Sequence, residues 1–151
     1  MAAEFFTQEW AEAVRDAVNA GPTEEYKADK LEEYWDWIDN ARAGFEGELA
    51  FGVRHGDILA GDAVVLTFSG GSCTDAKATT ADRVPESAFF LVGEEEAWRD
   101  LFEGYDAGKS VMYRRLLLEQ GNLLSFFNRV YFFVESLAVI GKVPTSFSVR
   151  T

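Results

Sequence analysis

The feature of this sequence that most constrains its fold is the apolar run between residues 123 and 141. In a helix, the apolar side chains of this run would lie almost all round the cylinder instead of along one stripe. They are Leu123, Leu124, Phe126, Phe127, Val130, Tyr131, Phe132, Phe133, Val134, Leu137, Ala138, Val139 and Ile140. A helix of this type is either fully buried or has two apolar surfaces to cover. The rest of the chain must therefore supply an extensive apolar partner.

The same run does not predict a transmembrane helix. It is interrupted by Ser125, Asn128, Arg129, Glu135 and Ser136. A membrane-spanning helix needs about 20 predominantly apolar residues with few or no charges. The N-terminal residues 1–6 have no basic start and no apolar stretch of signal length. We therefore expect a soluble, cytoplasmic protein.

Composition and charge exclude several classes of protein. The 151 residues include 26 acids and 14 bases, which gives a formal net charge of -12, and 15% of the residues are aromatic. The aromatic content excludes a disordered chain, and the length is that of one ordinary domain. Because an acidic surface repels polyanions, we expect no nucleic acid partner. With Cys73 as the single cysteine, a disulfide scaffold is excluded.

Two helical regions precede the first strand pattern. Residues 7–20 have one apolar stripe, Thr7 as a plausible N-cap, and Gly21-Pro22 as a stop signal. Residues 23–43 form the second region, in which Trp37 points away from the apolar face. That face comprises Leu31, Tyr34, Trp35, Ile38 and Ala41.

From residue 44 the apolar pattern changes to a period of two, which is typical of half-buried strands. It predicts strands at residues 49–54, 58–68, 72–80 and 87–92, joined by glycine-containing turns. The fourth is short and continuously apolar, which favours a central position. The predicted apolar sheet face is Phe51, Val53, Val64, Leu66, Phe68, Phe89 and Leu91.

Helical patterns return after the sheet. Gly93 is expected to open a helix with residues 94–96, all glutamate, in its first turn, where the macrodipole favours negative charge. Residues 110–120 predict a helix passing into a strand or turn, residues 123–141 the last helix, and residues 144–151 an extended, partly mobile tail. Hairpins followed by helices indicate an α+β fold with two layers, and helices packed on one face of the sheet. Its core can close completely or leave an apolar cavity.

Chemical motifs are nearly absent. His55 is the only histidine and lies in a predicted turn, so no zinc site is evident. Only His55 could supply a base for Cys73, and we interpret Cys73 as an inert strand residue. Residues 104–110 resemble a phosphate-binding loop, but only three residues separate the glycines, and Glu103 occupies the position that a glycine needs. We read these glycines as loop residues between two helices. The sequence predicts no catalytic residue, no metal site, no cofactor and no enzyme activity.

Two runs carry a resemblance to a known family. Residues 94–104 (EEEAWRDLFEG) and 112–122 (MYRRLLLEQGN), followed by the helix from Leu123, resemble the sterol carrier protein 2 (SCP2) family. The resemblance covers roughly residues 44–141. It implies a mainly antiparallel five-stranded sheet with helices on one face, and a non-catalytic carrier for a lipid, fatty acyl chain or sterol-like molecule. The expected organisation is a single SCP2-like domain over 1–151, with N-terminal helices at 1–43, sheet and covering helices at 44–141, and a tail at 142–151.

The resemblance also implies a ligand cavity between the sheet and the helices. Its expected lining lies on the segment before residue 121 and on the last helix, and comprises Met112, Leu116, Phe126, Phe127, Val130, Tyr131, Phe133, Val134 and Leu137. The chain departs from the family in two respects. Residues 149–151 are not a peroxisomal targeting tripeptide, and the net charge of -12 argues against docking at anionic membranes. Arg114-Arg115, the only adjacent basic pair, is either a contact for a lipid head group or contains a surface ion pair.

An alternative interpretation is a protein–protein interaction module. The same fold with a closed core would then associate with a partner subunit or a second copy through exposed aromatic residues. Trp37, Phe5 and Phe6 are the predicted contacts. An apolar ligand and a homodimer both remain open at this point.

Overall fold

A computed structural model of the chain describes residues 3–55, 58–86, 88–113 and 115–147. Its helices are α1 (Gln8–Ala20), α2 (Glu24–Lys27), α3 (Glu32–Ala43), α4 (Glu95–Phe102), α5 (Ala107–Met112), α6 (Leu123–Asn128) and α7 (Val130–Ile140). Its strands are β1 (Ala3–Glu4), β2 (Gly47–His55), β3 (Ile58–Ser69), β4 (Ser72–Thr80), β5 (Phe89–Glu94), β6 (Leu116–Gln120) and β7 (Thr145–Ser146).

The main sheet has five strands in the order β4-β3-β2-β5-β6. Three neighbouring pairs are antiparallel, while β2 and β5 run parallel, with Phe51 opposite Leu91. The sheet is therefore mixed but mainly antiparallel, which confirms the predicted architecture. The continuously apolar β5 has a neighbour on each side, as its sequence predicts.

The helices cover one face of this sheet, and the α+β prediction is confirmed. The seven side chains predicted for the apolar face all belong to, or pack against, the main core cluster, together with residues of α1, α3, α4, α6 and α7. The opposite face carries a smaller cluster built around Ala50, Val65 and Phe90, under Val84 and Ala88. The alternation of side chains along each strand thus produces one large core and one small one.

Helix α1 is fixed along the exposed edge of the sheet. Its N-cap is Thr7, whose hydroxyl accepts a hydrogen bond from the Trp10 backbone N–H at 3.2 Å, as predicted. The Gln8 side chain donates to Ala76 O and accepts from the Ala78 N–H, both at 2.8 Å. Asn19 makes the same pair of bonds with the backbone of Cys73, at 2.9 and 2.8 Å. These two amides cover part of the edge strand β4, which would otherwise present unpaired backbone groups.

Two predicted helices are each divided in the structure. Residues 23–43 form α2 and α3, and Leu31 lies between them with its side chain 75% exposed, so its assignment to the apolar face was wrong. The final helix is interrupted at Arg129, whose φ is -123° and ψ is 21°. The Arg129 guanidinium donates to Ala41 O and Gly44 O, at 3.3 and 3.2 Å, and so satisfies carbonyls at the end of α3.

Gly93 does not open a helix but lies in β5, and α4 begins two residues later. A Cβ at Gly93 would lie 2.6 Å from Leu116 Cδ2 and 2.8 Å from Arg115 O. Glycine is therefore required at residue 93, because β6 and the residue before it approach too closely for a side chain. Glu95 and Glu96 occupy the first turn of α4, as the macrodipole argument predicts.

The two ends of the described chain meet. Strand β1 pairs in parallel with β7, and the ring of Phe147 lies 4.7 Å from that of Phe5. Phe5 and Phe6 are 3% and 6% exposed, so the prediction that they form an exposed docking surface was wrong. Residues 144–147 are docked on this end of the core, and the remainder of the predicted tail, 148–151, lies outside the described residues.

Candidate functional site

An open apolar pocket of about 320 Å³ lies between α1, the turn leading into α2, and the C-terminal end of α7. Its lining consists of Ala13, Ala17, Ala20, Gly21, Pro22, Thr23, Tyr26, Ala138, Val139, Lys142, Val143 and Pro144. We call this space the α1–α7 pocket. Its volume is at the lower end of the range of about 300 to 1,000 Å³ that is typical of small-molecule sites.

The local sequence explains why the space is not filled. The α1 residues in the lining are three alanines, and α7 contributes Ala138 and Val139. Gly21, with φ of +75°, ends α1 and turns the chain towards α2. Short side chains on the facing helices and an early chain reversal thus leave an apolar gap.

Two neighbouring spaces share parts of this lining. A cavity of about 40 Å³ shares Gly21, Pro22 and Val139 with the α1–α7 pocket, and extends towards Glu135. A groove of about 580 Å³ shares Tyr26, Ala138 and residues 142–144, and extends towards α4 and α5. The α1–α7 pocket is therefore bordered by a polar network on one side and by a wide groove on the other.

A buried carboxylate holds the wall of the pocket in place. Glu135 on α7 is 4% exposed and accepts hydrogen bonds from Tyr26 Oη at 3.0 Å and Tyr34 Oη at 2.7 Å. Lys30 Nζ donates to the same carboxylate at 3.1 Å. A buried carboxylate is tolerated only when it is paired and hydrogen-bonded, and here its partners come from α2, α3 and the segment between them.

This network also sets the ionisation of its two phenols. Burial, together with the negative charge of Glu135, raises the pKa of Tyr26 to about 12. Burial and the hydrogen bond to Glu135 raise the pKa of Tyr34 above its ordinary value. Both hydroxyls therefore remain protonated donors at neutral pH. In the sequence, Glu135 stands out only as an interruption in an apolar run, although a lone acid inside such a helix is itself a signal of a buried partner.

The nine predicted lining residues fall into three groups. Leu116, Phe126, Phe133 and Leu137 are buried in the core; Val130 and Val134 pack partly buried against it; and Met112, Phe127 and Tyr131 are at least half exposed. The rings of Phe126 and Phe133 stack at 5.0 Å between centroids, and Phe89 lies 5.4 Å from Phe133. None of the nine lines the α1–α7 pocket. Their contact with a ligand stays a prediction.

The remaining candidate groups occupy structural positions. Burial raises the pKa of the Cys73 thiol to about 11, which agrees with its interpretation as an inert strand residue. Arg115 pairs with Asp100 and lies 4.7 Å from the centroid of the Tyr105 ring, so the ion-pair interpretation is confirmed for Arg115. Arg114 lies outside the described residues.

The segment resembling a phosphate loop connects α4 to α5. Asp106 caps α5 by accepting from the Lys109 backbone N–H at 2.9 Å. Gly104 is a loop residue as expected, whereas Gly108 lies inside α5. Over the described ranges, no group of three or more His, Cys, Asp or Glu side chains is placed to hold a metal ion. Among the helices of the same ranges, none has the length and apolar character needed to cross a bilayer.

Solved structures share this architecture. A crystal structure of sterol carrier protein 2 superposes with a TM-score of 0.69 at 25% identity, over 93% of this chain and 99% of that chain. A solution structure of a conserved hypothetical protein from Thermus thermophilus, described as a candidate sterol carrier protein, gives a TM-score of 0.67 at 22% identity, over 97% of both chains. No protein family and no curated protein matches the chain by sequence.

The fold therefore defines the class of protein. The chain is an SCP2-like domain, which confirms the resemblance inferred from residues 94–104 and 112–122.

The Glu135 network predicts a loss of stability at high pH. The pKa of Tyr26 is about 12 in the folded protein against 10 for an unperturbed phenol, so between these values the folded state binds more protons than the unfolded chain. The free energy of unfolding should therefore fall as the pH rises from 10 to 12. Urea denaturation at stepped pH measures this slope. Tyr26→Phe should make it shallower, and an unchanged slope in that variant would contradict the assignment.

The contribution of the Glu135 network to stability can also be tested at neutral pH, with the substitution Glu135→Gln. This change removes the charge and leaves fewer acceptors for the two phenols, and we expect a loss of about 1–3 kcal/mol in the free energy of unfolding. Glu119→Gln, at an exposed position on β6, is the matched control and should change stability by less than about 0.5 kcal/mol. Equal effects of the two substitutions would show that Glu135 has no special structural role.

Proposed function

We propose that this chain is a non-catalytic binding or carrier protein for an apolar ligand, a lipid, fatty acyl chain or sterol-like molecule, held in the α1–α7 pocket. The observation that carries the proposal is an apolar pocket of about 320 Å³ between two helices of an SCP2-like fold. The solved structure at 25% identity is one of sterol carrier protein 2, and its name supports the same class of ligand.

The chemistry of the pocket supports binding rather than catalysis. Most of its lining is alanine, valine, proline or glycine, and the Tyr26 hydroxyl is already committed to Glu135. Apolar surface removed from water contributes roughly 25 cal/mol per Å² to binding. An apolar chain placed here would gain this stabilisation without leaving a buried polar group unpaired.

Packing favours this pocket over the lining predicted from the resemblance. Under α6 and α7 the space is filled by contacting rings, among them Phe89, Phe126 and Phe133. A ligand could enter there only if those rings moved apart, which would sacrifice close packing in the core. The α1–α7 pocket needs no such movement. The predicted lining is therefore a second candidate that mutagenesis can separate from the first.

Two substitutions on α7 separate the two sites. Ala138→Phe projects a ring into the α1–α7 pocket, and we expect it to weaken dodecanoate binding to the delipidated protein about tenfold or more, equivalent to about 1.4 kcal/mol. Val130→Phe adds a ring at one of the predicted lining positions and should leave affinity nearly unchanged. The ligand-dependent shift in melting temperature measures both.

If Val130→Phe weakens dodecanoate binding and Ala138→Phe does not, the ligand lies at the lining predicted from the resemblance. If delipidated wild-type protein shows no thermal shift with dodecanoate, dodecanol or a sterol, the carrier proposal itself fails. Shifts that grow with ligand concentration are the supporting result.

The alternative proposal is a protein–protein interaction module, which binds a partner subunit or forms a homodimer. A different observation favours it. Trp37 and Tyr131 are 50% and 52% exposed, and their ring centroids lie 5.3 Å apart. Exposed aromatic clusters are enriched at protein–protein interfaces. Phe5 and Phe6 take no part in this proposal because both are buried.

Light scattering with Trp37→Ala tests the alternative. If the exposed aromatic cluster mediates self-association, wild-type protein should scatter as a dimer, and the variant should shift towards the monomer while its affinity for dodecanoate is unchanged. A wild-type protein that remains monomeric as its concentration is raised would contradict the homodimer.

A further inference from the structure

Charge is distributed unevenly around the α1–α7 pocket. Lys142 is the only charged residue in its described lining, and it lies just beyond the C-terminal end of α7. The same lysine also lines the groove that continues from the pocket towards α4 and α5. Its ammonium group is therefore placed at the junction where a ligand in the pocket would meet solvent.

The position of this ammonium group is set by the pocket wall. Lys142 Nζ lies 4.3 Å from the centroid of the Tyr26 ring, and the hydroxyl of that ring is fixed by Glu135. A cation–π contact favours such a placement, because the ring face attracts a cation. Within the described ranges, Lys142 Nζ makes no salt bridge, so its charge is not neutralised by a neighbouring carboxylate.

Acidic residues that line the adjoining groove make the charge of Lys142 decisive. Glu103 and Asp106 line the adjoining groove together with Lys142, and the chain as a whole has a net charge of -12. Glu135, the buried acid behind Tyr26, is already paired with Lys30. Without Lys142, an anionic group at the mouth of the pocket would meet mainly negative potential.

Resting on the proposed function, we propose that Lys142 determines specificity at the α1–α7 pocket by selecting amphiphiles with an anionic head group. The apolar chain lies among the alanine and valine side chains, and the head group accepts hydrogen bonds from Lys142 Nζ at the pocket mouth. An uncharged molecule with the same chain gains the apolar contacts and can accept a hydrogen bond from Lys142, but it lacks the attraction between opposite charges that strengthens this bond for an anion. Neutral ligands therefore bind more weakly at this site.

A pair of ligands that differ only in the head group tests this. Delipidated wild-type protein should bind dodecanoate about fivefold more tightly than dodecanol, a ratio typical of a partly exposed charged hydrogen bond. Lys142→Met should abolish this preference by weakening dodecanoate alone, and Lys142→Arg should restore most of it. Lys109→Met removes the same charge from an exposed position on α5 outside the pocket lining and should leave both affinities unchanged.

Each outcome separates this inference from the carrier proposal. If both ligands bind wild type and Lys142→Met changes neither affinity, or weakens both equally, the head-group role of Lys142 is overturned while the carrier function stands. If Lys109→Met removes the preference as fully as Lys142→Met, the effect is one of overall charge and the inference also falls. If neither ligand binds wild type but a sterol does, the inference falls and the carrier proposal stands; if none of the three binds, both proposals fail. Loss of the preference at raised salt would agree with a partly exposed ion pair.

Discussion

The pairing of the Glu135 carboxylate is the interaction on which the arrangement of the N-terminal helices depends. Removing a carboxylate from water is costly, and the cost is offset only by excellent geometry and full hydrogen bonding. Tyr26, Tyr34 and Lys30 meet this requirement from three successive segments. One charge on α7 thus ties α2 and α3 to that helix, and with them the wall of the candidate site.

Helix α1 is anchored by a separate set of bonds. The side chains of Gln8 and Asn19 pair with the backbone of the edge strand β4, about three turns apart along the helix. The α1–α7 pocket therefore lies between one helix fixed to the sheet edge and others fixed to α7. Because its facing residues are mostly alanine, neither anchor fills the space. The pocket is a consequence of how the helices are held, rather than a gap in the packed core.

Sequence periodicity predicted much of this fold, since strand alternation and helix caps are local properties. These local signals correctly predicted the limits of α1, the limits of β4 and the apolar face of the sheet. The break at Arg129 could not be predicted, because its guanidinium serves carbonyls of α3, more than 80 residues away along the chain. Local sequence patterns also could not predict the α1–α7 pocket. Large apolar residues marked the core, whereas the pocket is formed where small residues of distant helices face each other.

We propose that the apolar chain of a ligand lies between α1 and α7 instead of under α6. The most direct measurement is a set of intermolecular nuclear Overhauser effects between dodecanoate and the isotope-labelled protein. We expect contacts from the ligand chain to the methyl groups of Ala13, Ala17 and Ala138. Contacts to the rings of Phe126 and Phe133, with none to those three alanines, would contradict it.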